Sequence, residues 1–203
     1  YPHTGAMTYE GADKKIPAMA ISTLDAEALS DALAAESDLK IYMKMSCEWK
    51  DSVISHNLIA DLPGKESPDE IILIGGHIDS WDLGTGAHDD GSGCMHSLEA
   101  AWLLKTLDIL PGRTLRVVFF MNEEFGLNGA KEYARVSKKQ KRKHVIAIES
   151  DGGGFAPRGI SMDAPDSVVG EIKTLRGLLE PYGIHQFSKG GSGADISQLK
   201  SAD

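Results

Sequence analysis

The stretch Ile71-Ile72-Leu73-Ile74-Gly75-Gly76-His77-Ile78-Asp79-Ser80-Trp81-Asp82 decides how this chain reads. Four consecutive aliphatic residues without polar alternation describe a strand covered on both faces, as in a parallel sheet, and the paired glycines bound it. A histidine and an acid stand immediately beyond. Residues 114–121 (Thr-Leu-Arg-Val-Val-Phe-Phe-Met) and 145–148 (Val-Ile-Ala-Ile) repeat that character, and they too run into acids, at Asn122-Glu123-Glu124 and Glu149-Ser150-Asp151. Between these strands Met95, Leu98, Trp102 and Leu103 recur at three-to-four spacing and predict an amphipathic helix whose stripe belongs to the core. A shorter helix is predicted over 127–136, and a later one over 168–179 with Val168, Ile172, Leu175 and Leu179 on one face. Buried strand alternating with amphipathic helix gives an α/β sandwich around a mainly parallel sheet.

Towards the N-terminus the signals are weaker. Residues 15–21 offer one strand candidate, and Ser22 or Thr23 is a fitting N-cap for a helix with Asp25 and Glu27 in its first turn and Leu29 and Leu33 on one face. Strict alternation over 39–49 predicts a half-exposed strand that packs Cys47 on its apolar side, and 56–62 predicts another, closed by Pro63-Gly64. Residues 195–200 look helical. The start at Tyr1 and the stop at Asp203 read as those of a fragment.

Composition removes several classes of function. The 203 residues hold 21 Lys+Arg against 30 Asp+Glu, a net charge of −9, which argues against a nucleic-acid partner. No apolar run approaches the roughly 18 residues of a membrane span. Cys47 and Cys94 are too few for a disulfide framework or a cysteine zinc site. The basic run 138–143 reads as a solvated loop.

Chemistry gathers where the buried strands end. In open α/β sheets the ligand crevice lies beyond the carboxyl ends of the strands. Here that edge receives His77 and Asp79, then the glycine-rich loop 84–93 with Asp89 and Asp90, then Glu123 and Glu124, then Asp151. So many carboxylates repel one another and raise each other's pKa unless cations neutralise them. One imidazole among several carboxylates suits zinc, or manganese and cobalt in similar sites, and two ions can share a bridging carboxylate. The other histidines, His3, His56, His88, His96, His144 and His185, read as surface or packing residues.

These four motifs in this order resemble the di-zinc exopeptidase family that includes bacterial aminopeptidase S and glutamate carboxypeptidase, and most of all its carboxypeptidase Q branch, whose Gly-His-x-Asp-Ser-Trp-Asp, Asp-Asp-Gly and Glu-Ser-Asp patterns are mirrored from Gly76 onward. The resemblance implies a three-layer, phosphorylase/hydrolase-like zinc exopeptidase fold and two Zn2+ per complete catalytic domain. It makes His77, Asp89, Glu124 and Asp151 the metal ligands, with Asp89 bridging, and Glu123 the general base. Asp79 would hold the imidazole in its tautomer, and Asp90 would brace the loop. Loop 190–195 would lie near the substrate. A last histidine ligand is expected beyond Asp203, so this chain alone is expected to bind its second metal weakly and to turn over peptides poorly.

Residues 1–55 would end an inserted, protease-associated-type domain and return to the catalytic sheet, and 56–203 would be the truncated catalytic domain. Peptides or dipeptides are the implied substrates; a homodimer is left open, and a secreted, periplasmic or lysosomal site is a family expectation. Two other readings exist. A di-metal amino-acid deacylase is disfavoured because Asp89 follows His77 by only twelve positions. A non-catalytic, receptor-like domain of the same fold is disfavoured because such domains lose their ligands.

Overall fold

A computed structural model describes residues 11, 16–48, 50–81, 83–191 and 193–201. Contacts divide the chain into two units, Tyr1–Ile54 and Ser55–Asp203. In the first, helix α1 (Thr23–Ala35) starts where its cap predicts: the Ser22 hydroxyl accepts the Asp25 N–H at 3.1 Å, and none of the helix is buried. The two strands expected here do not form among the described residues. Residues 16–21 and 39–48 have no regular structure, and Lys15 and Trp49 lie outside the described residues. Alternation makes a strand only when a neighbour completes the hydrogen-bond ladder. Cys47, with no strand to seat it, is exposed.

The second unit is built on a four-stranded sheet of β1 (Leu58–Leu62), β2 (Ser67–His77), β3 (Arg113–Phe120) and β4 (Lys143–Glu149), in the order β1-β3-β2-β4. Strand β2 pairs in parallel with β3 and β4, while β1 runs antiparallel to β3. His77 therefore faces Phe120, and Gly75 faces Glu149, so three strands deliver their C-terminal residues to one edge. Period-two alternation then sorts the faces. Ile71, Leu73, Val118 and Phe120 form a core with Ala130, Tyr133 and Ala134 of helix α3 (Asn128–Lys139) and with Leu199. The opposite phase carries Gly76, against which helix α2 (Gly91–Thr106) begins. Helices on both faces make three layers.

Three differences from the sequence reading are informative. The stripe Met95, Leu98, Trp102 and Leu103 is not core: these residues are 43–55% exposed, and the buried positions of α2 are Gly93, Cys94 and Ser97. The reason is local. Asp90 caps the helix through the Gly93 N–H at 3.0 Å, and Gly93 lies so close to the Ser150 carbonyl that a Cβ would overlap it, which fixes the rotation of the helix. On β4, at the end of the sheet, Ile146 and Ile148 remain half exposed. The helix expected over 168–179 breaks at Leu175 into α4 (Asp166–Thr174) and α5 (Arg176–Leu179), with Val169 as its buried residue.

A second, two-stranded parallel sheet joins β5 (Gly159–Met162) to β6 (Gln186–Lys189), and Ile196–Ser201 closes the described chain as a 3-10 helix. The four-residue strands lack the long apolar runs that made β2 and β3 legible.

Candidate metal centre

His77 is the last residue of β2 and is 1% exposed. Its Nε2 lies 3.1 Å from Asp89 Oδ1, 3.3 Å from Asp151 Oδ1 and 3.9 Å from Glu123 Oε2. Donor atoms of His77, Asp89 and Glu124 lie within 4.8 Å of one another, as do those of His77, Asp90 and Asp151. Three strand ends and one loop thus bring together the residues that sequence singled out.

Each is held by its surroundings. Asp90 is 1% exposed; its Oδ2 accepts the His77 N–H at 3.0 Å and its Oδ1 the Gly93 N–H, so it braces β2 to α2 with both oxygens engaged. A Cβ at Gly76 would overlap that carboxylate, which is why glycine precedes the histidine. The Asp89–Asp90 peptide bond is cis. After β3, Asn122 adopts φ 69°, a conformation asparagine tolerates, and turns the chain into the Glu123-Glu124 segment.

Asp79 contributes differently from the sequence reading. The His77 Nδ1 lies 3.0 Å from the main-chain carbonyl of Asp79 and 3.6 Å from its carboxylate. That carboxylate accepts the N–H groups of Glu123 at 3.0 Å and Glu124 at 3.3 Å. The carbonyl orients the imidazole, and the side chain grips the two glutamates.

The electrostatics are those of an acid cluster short of cations. Burial pushes the His77 imidazole down, but the hydrogen bond and charge of Asp151, with Glu123 and Asp90, outweigh it and hold the group at about 10. Burial, then the charges around it, pushes the Glu123 carboxyl up; Glu124 rises through burial and Asp89, and burial takes Asp90 to about 6. A cleft of about 340 Å³ adjoins the cluster, lined by Ser80, Trp81, Gly84, Thr85, Gly86, Ala87, His88, Asp89 and Glu124. Trp81 hydrogen-bonds Glu124 and packs on Phe125 with ring centroids 4.5 Å apart.

Sequence reasoning passed over two acids. Glu149, at the end of β4, is pushed up by burial. Asp195 is 1% exposed, neither carboxylate oxygen has a hydrogen-bond partner among the described residues, and burial, then Glu149 and Glu123, raises it to about 8. The one available signal was position: Glu149 shares a strand end with Asp151, and Asp195 follows a run of glycines.

Comparison with known proteins agrees with this geometry. Carboxypeptidase Q of Mus musculus is 36% identical over 196 residues, which is 97% of this chain and 42% of that protein; the Homo sapiens protein gives the same figures. The chain thus spans less than half the length of the curated relatives it matches. Among solved structures, a peptidase M28 precursor from Shewanella amazonensis SB2B superposes with a TM-score of 0.84 at 36% identity, over 99% of this chain and 46% of that one. A zinc aminopeptidase from Bacillus subtilis gives 0.57 at 26% identity, over 72% and 37%. The model of peptidase family M28 matches residues 57–194, which carry β1 to β6 and His77, Asp79, Asp89, Asp90, Glu123, Glu124, Glu149 and Asp151, and the chain belongs to that family.

Proposed function

We propose that residues 56–203 are the larger part of a zinc-dependent exopeptidase or dipeptidase site. The observation that carries this reading is the convergence of His77, Asp89, Glu124 and Asp151, with Glu123 beside them, at one edge of the sheet. The fit to divalent cations is chemical: burial and neighbouring carboxylates push Glu123 and Glu124 up although His77 opposes the shift, and two oxygens of Asp195 are buried without a hydrogen-bond partner among the described residues.

His77 and Asp151 would hold one zinc, Glu124 the other, and Asp89 both. Bound there, the ions would supply Lewis acidity, polarising the scissile carbonyl and lowering the pKa of water. The chain's own residues supply the rest. Glu123, partly withdrawn from solvent and raised in pKa, takes a proton from the attacking water at its carboxylate and returns it to the departing amine. Asp79 keeps Glu123 and Glu124 in register, and the cleft beside Trp81, Asp89 and Glu124 receives the peptide. The first unit, in this reading, belongs to an inserted protease-associated-type domain.

Zinc competition against a chromophoric chelator tests the centre. Saturable binding is expected, with a loss of at least about 100-fold in Asp89→Ala, whose carboxylate serves both ions; a chain without saturable binding would sink the reading. Assays of free dipeptides against N-acyl amino acids separate exopeptidase from deacylase.

A further inference from the structure

Glu149 has no place in the ligand set, yet the chain is arranged around it. Its carboxylate accepts the main-chain N–H of Ile196 at 3.1 Å and of Asp195 at 3.4 Å. Gly193 lies flat against it, close enough that a Cβ would overlap the carboxylate. From the other side the turn is tied to the core: Leu199 is 6% exposed, and Ile196 packs on the same cluster. Within the turn, the Ser197 N–H donates to the Gly193 carbonyl at 3.2 Å and its hydroxyl to the Ala194 carbonyl at 2.6 Å.

What this arrangement delivers is Asp195, buried with neither oxygen hydrogen-bonded among the described residues. A lone buried carboxylate is among the most unfavourable groups a fold can contain. Here one acid is committed to holding the turn that carries another, which is intelligible only if the second has a task. Its own N–H reaches Glu149, and the charges of Glu149, Glu123, His77 and Asp79 act on it, so it lies within electrostatic reach of the cluster.

We propose that Glu149 is a positioning residue that latches turn 193–196 to the end of β4, and that Asp195, so held, is a buried counter-charge behind the metal ligands. The counter-charge half rests on the zinc reading above; the latch half stands on the hydrogen bonds alone.

The test uses this chain, four single variants and one double, with amide exchange and zinc competition as readouts. In Glu149→Ala, exchange across 194–200 should rise at least about tenfold while 113–120, the β3 segment, stays as it was. Gly193→Ala should loosen the same turn with Glu149 still present. Glu149→Gln, which keeps one acceptor oxygen, should fall between. Zinc affinity should drop about 10- to 100-fold in both Glu149→Ala and Asp195→Asn, and the double variant should be little weaker than the worse single, because one acts through the other.

Unchanged exchange at 194–200, or an equal rise in β3, would overturn the latch. Losses that multiply in the double variant would overturn the coupling. A wild-type chain that binds no zinc would remove the proposed function and the counter-charge together, with the exchange pattern still deciding the latch.

Discussion

Asp79 shows how much of a site is made of residues that touch no substrate. Both of its oxygens go to the N–H groups of Glu123 and Glu124, so it sets the direction of both glutamates at once. In Asp79→Ala those two N–H groups lose their acceptor, and the segment is free to turn. Zinc affinity should fall about 10- to 100-fold while the far-ultraviolet circular dichroism stays unchanged; an unaltered affinity would refute the grip. His77, Asp89, Glu123, Glu124 and Asp151 were legible in the sequence because each follows an apolar run or a glycine turn in an order that makes chemical sense. The imidazole's partner was not, since the choice between a carboxylate and a carbonyl of the same residue is made by backbone direction, which residue type does not encode. Glu149 and Asp195 were illegible for a related reason: their relation arises only when β4 and turn 193–196 meet.

At the scale of the element, α2 separates what a pattern can and cannot say. Its existence follows from the spacing of Met95, Leu98, Trp102 and Leu103, whereas its extent, Gly91–Thr106, and its Asp90 cap come from the structure. Its rotation does not follow from the apolar stripe, because close approach at Gly76 and Gly93 decides it first. The two readings make opposite forecasts. Leu98→Gln, on the exposed stripe, should change stability by less than about 0.5 kcal/mol. Cys94→Leu, at a position 3% exposed beneath the helix, should cost about 1–3 kcal/mol through overpacking. Urea titration of both variants checks this, and a reversal of the order would restore the stripe to the core. Strands β2 and β3 were readable because continuous apolar runs have few alternatives, whereas the alternation over 39–49 had no partner among the described residues to make it a strand.

At the scale of the second unit, one polar thread crosses the apolar layer. Arg116, 8% exposed, meets the Asp61 carboxylate at 2.6 and 2.7 Å, donates to the Tyr133 hydroxyl at 3.3 Å, and Tyr133 in turn lies 2.9 Å from His144 Nε2. Strands β1, β3, β4 and helix α3 are thereby tied together. The hydrogen bond from Arg116 holds the Asp61 carboxyl below its ordinary 3.8. A depressed acid stabilises the folded state fully above its unfolded value, and that contribution is lost as pH falls through the depressed one. Asp61→Asn should therefore cost about 1–2 kcal/mol at pH 7, less than a fully buried pair because Asp61 is more than a third exposed, and the difference from wild type should shrink towards pH 3. Urea midpoints at both pH values measure it; a pH-independent difference would contradict the ion-pair origin.

The order of the sheet carries a consequence for how the molecule comes into being. Leu58 pairs with Phe119, His77 with Phe120 and Gly75 with Glu149, so every strand contact closes a loop of roughly 40 to 75 residues, and topologies dominated by such distant pairings fold slowly. The cluster is assembled from residues at or just beyond the ends of those same strands, with Asp89 and Asp90 from the loop that follows β2. The segment from His77 to Asp90 can offer only its own part of the cluster, and a nascent chain would carry the remaining acids dispersed until the sheet is complete. The complete cluster is in this sense a late property of the fold: it exists only once the entire sheet has closed.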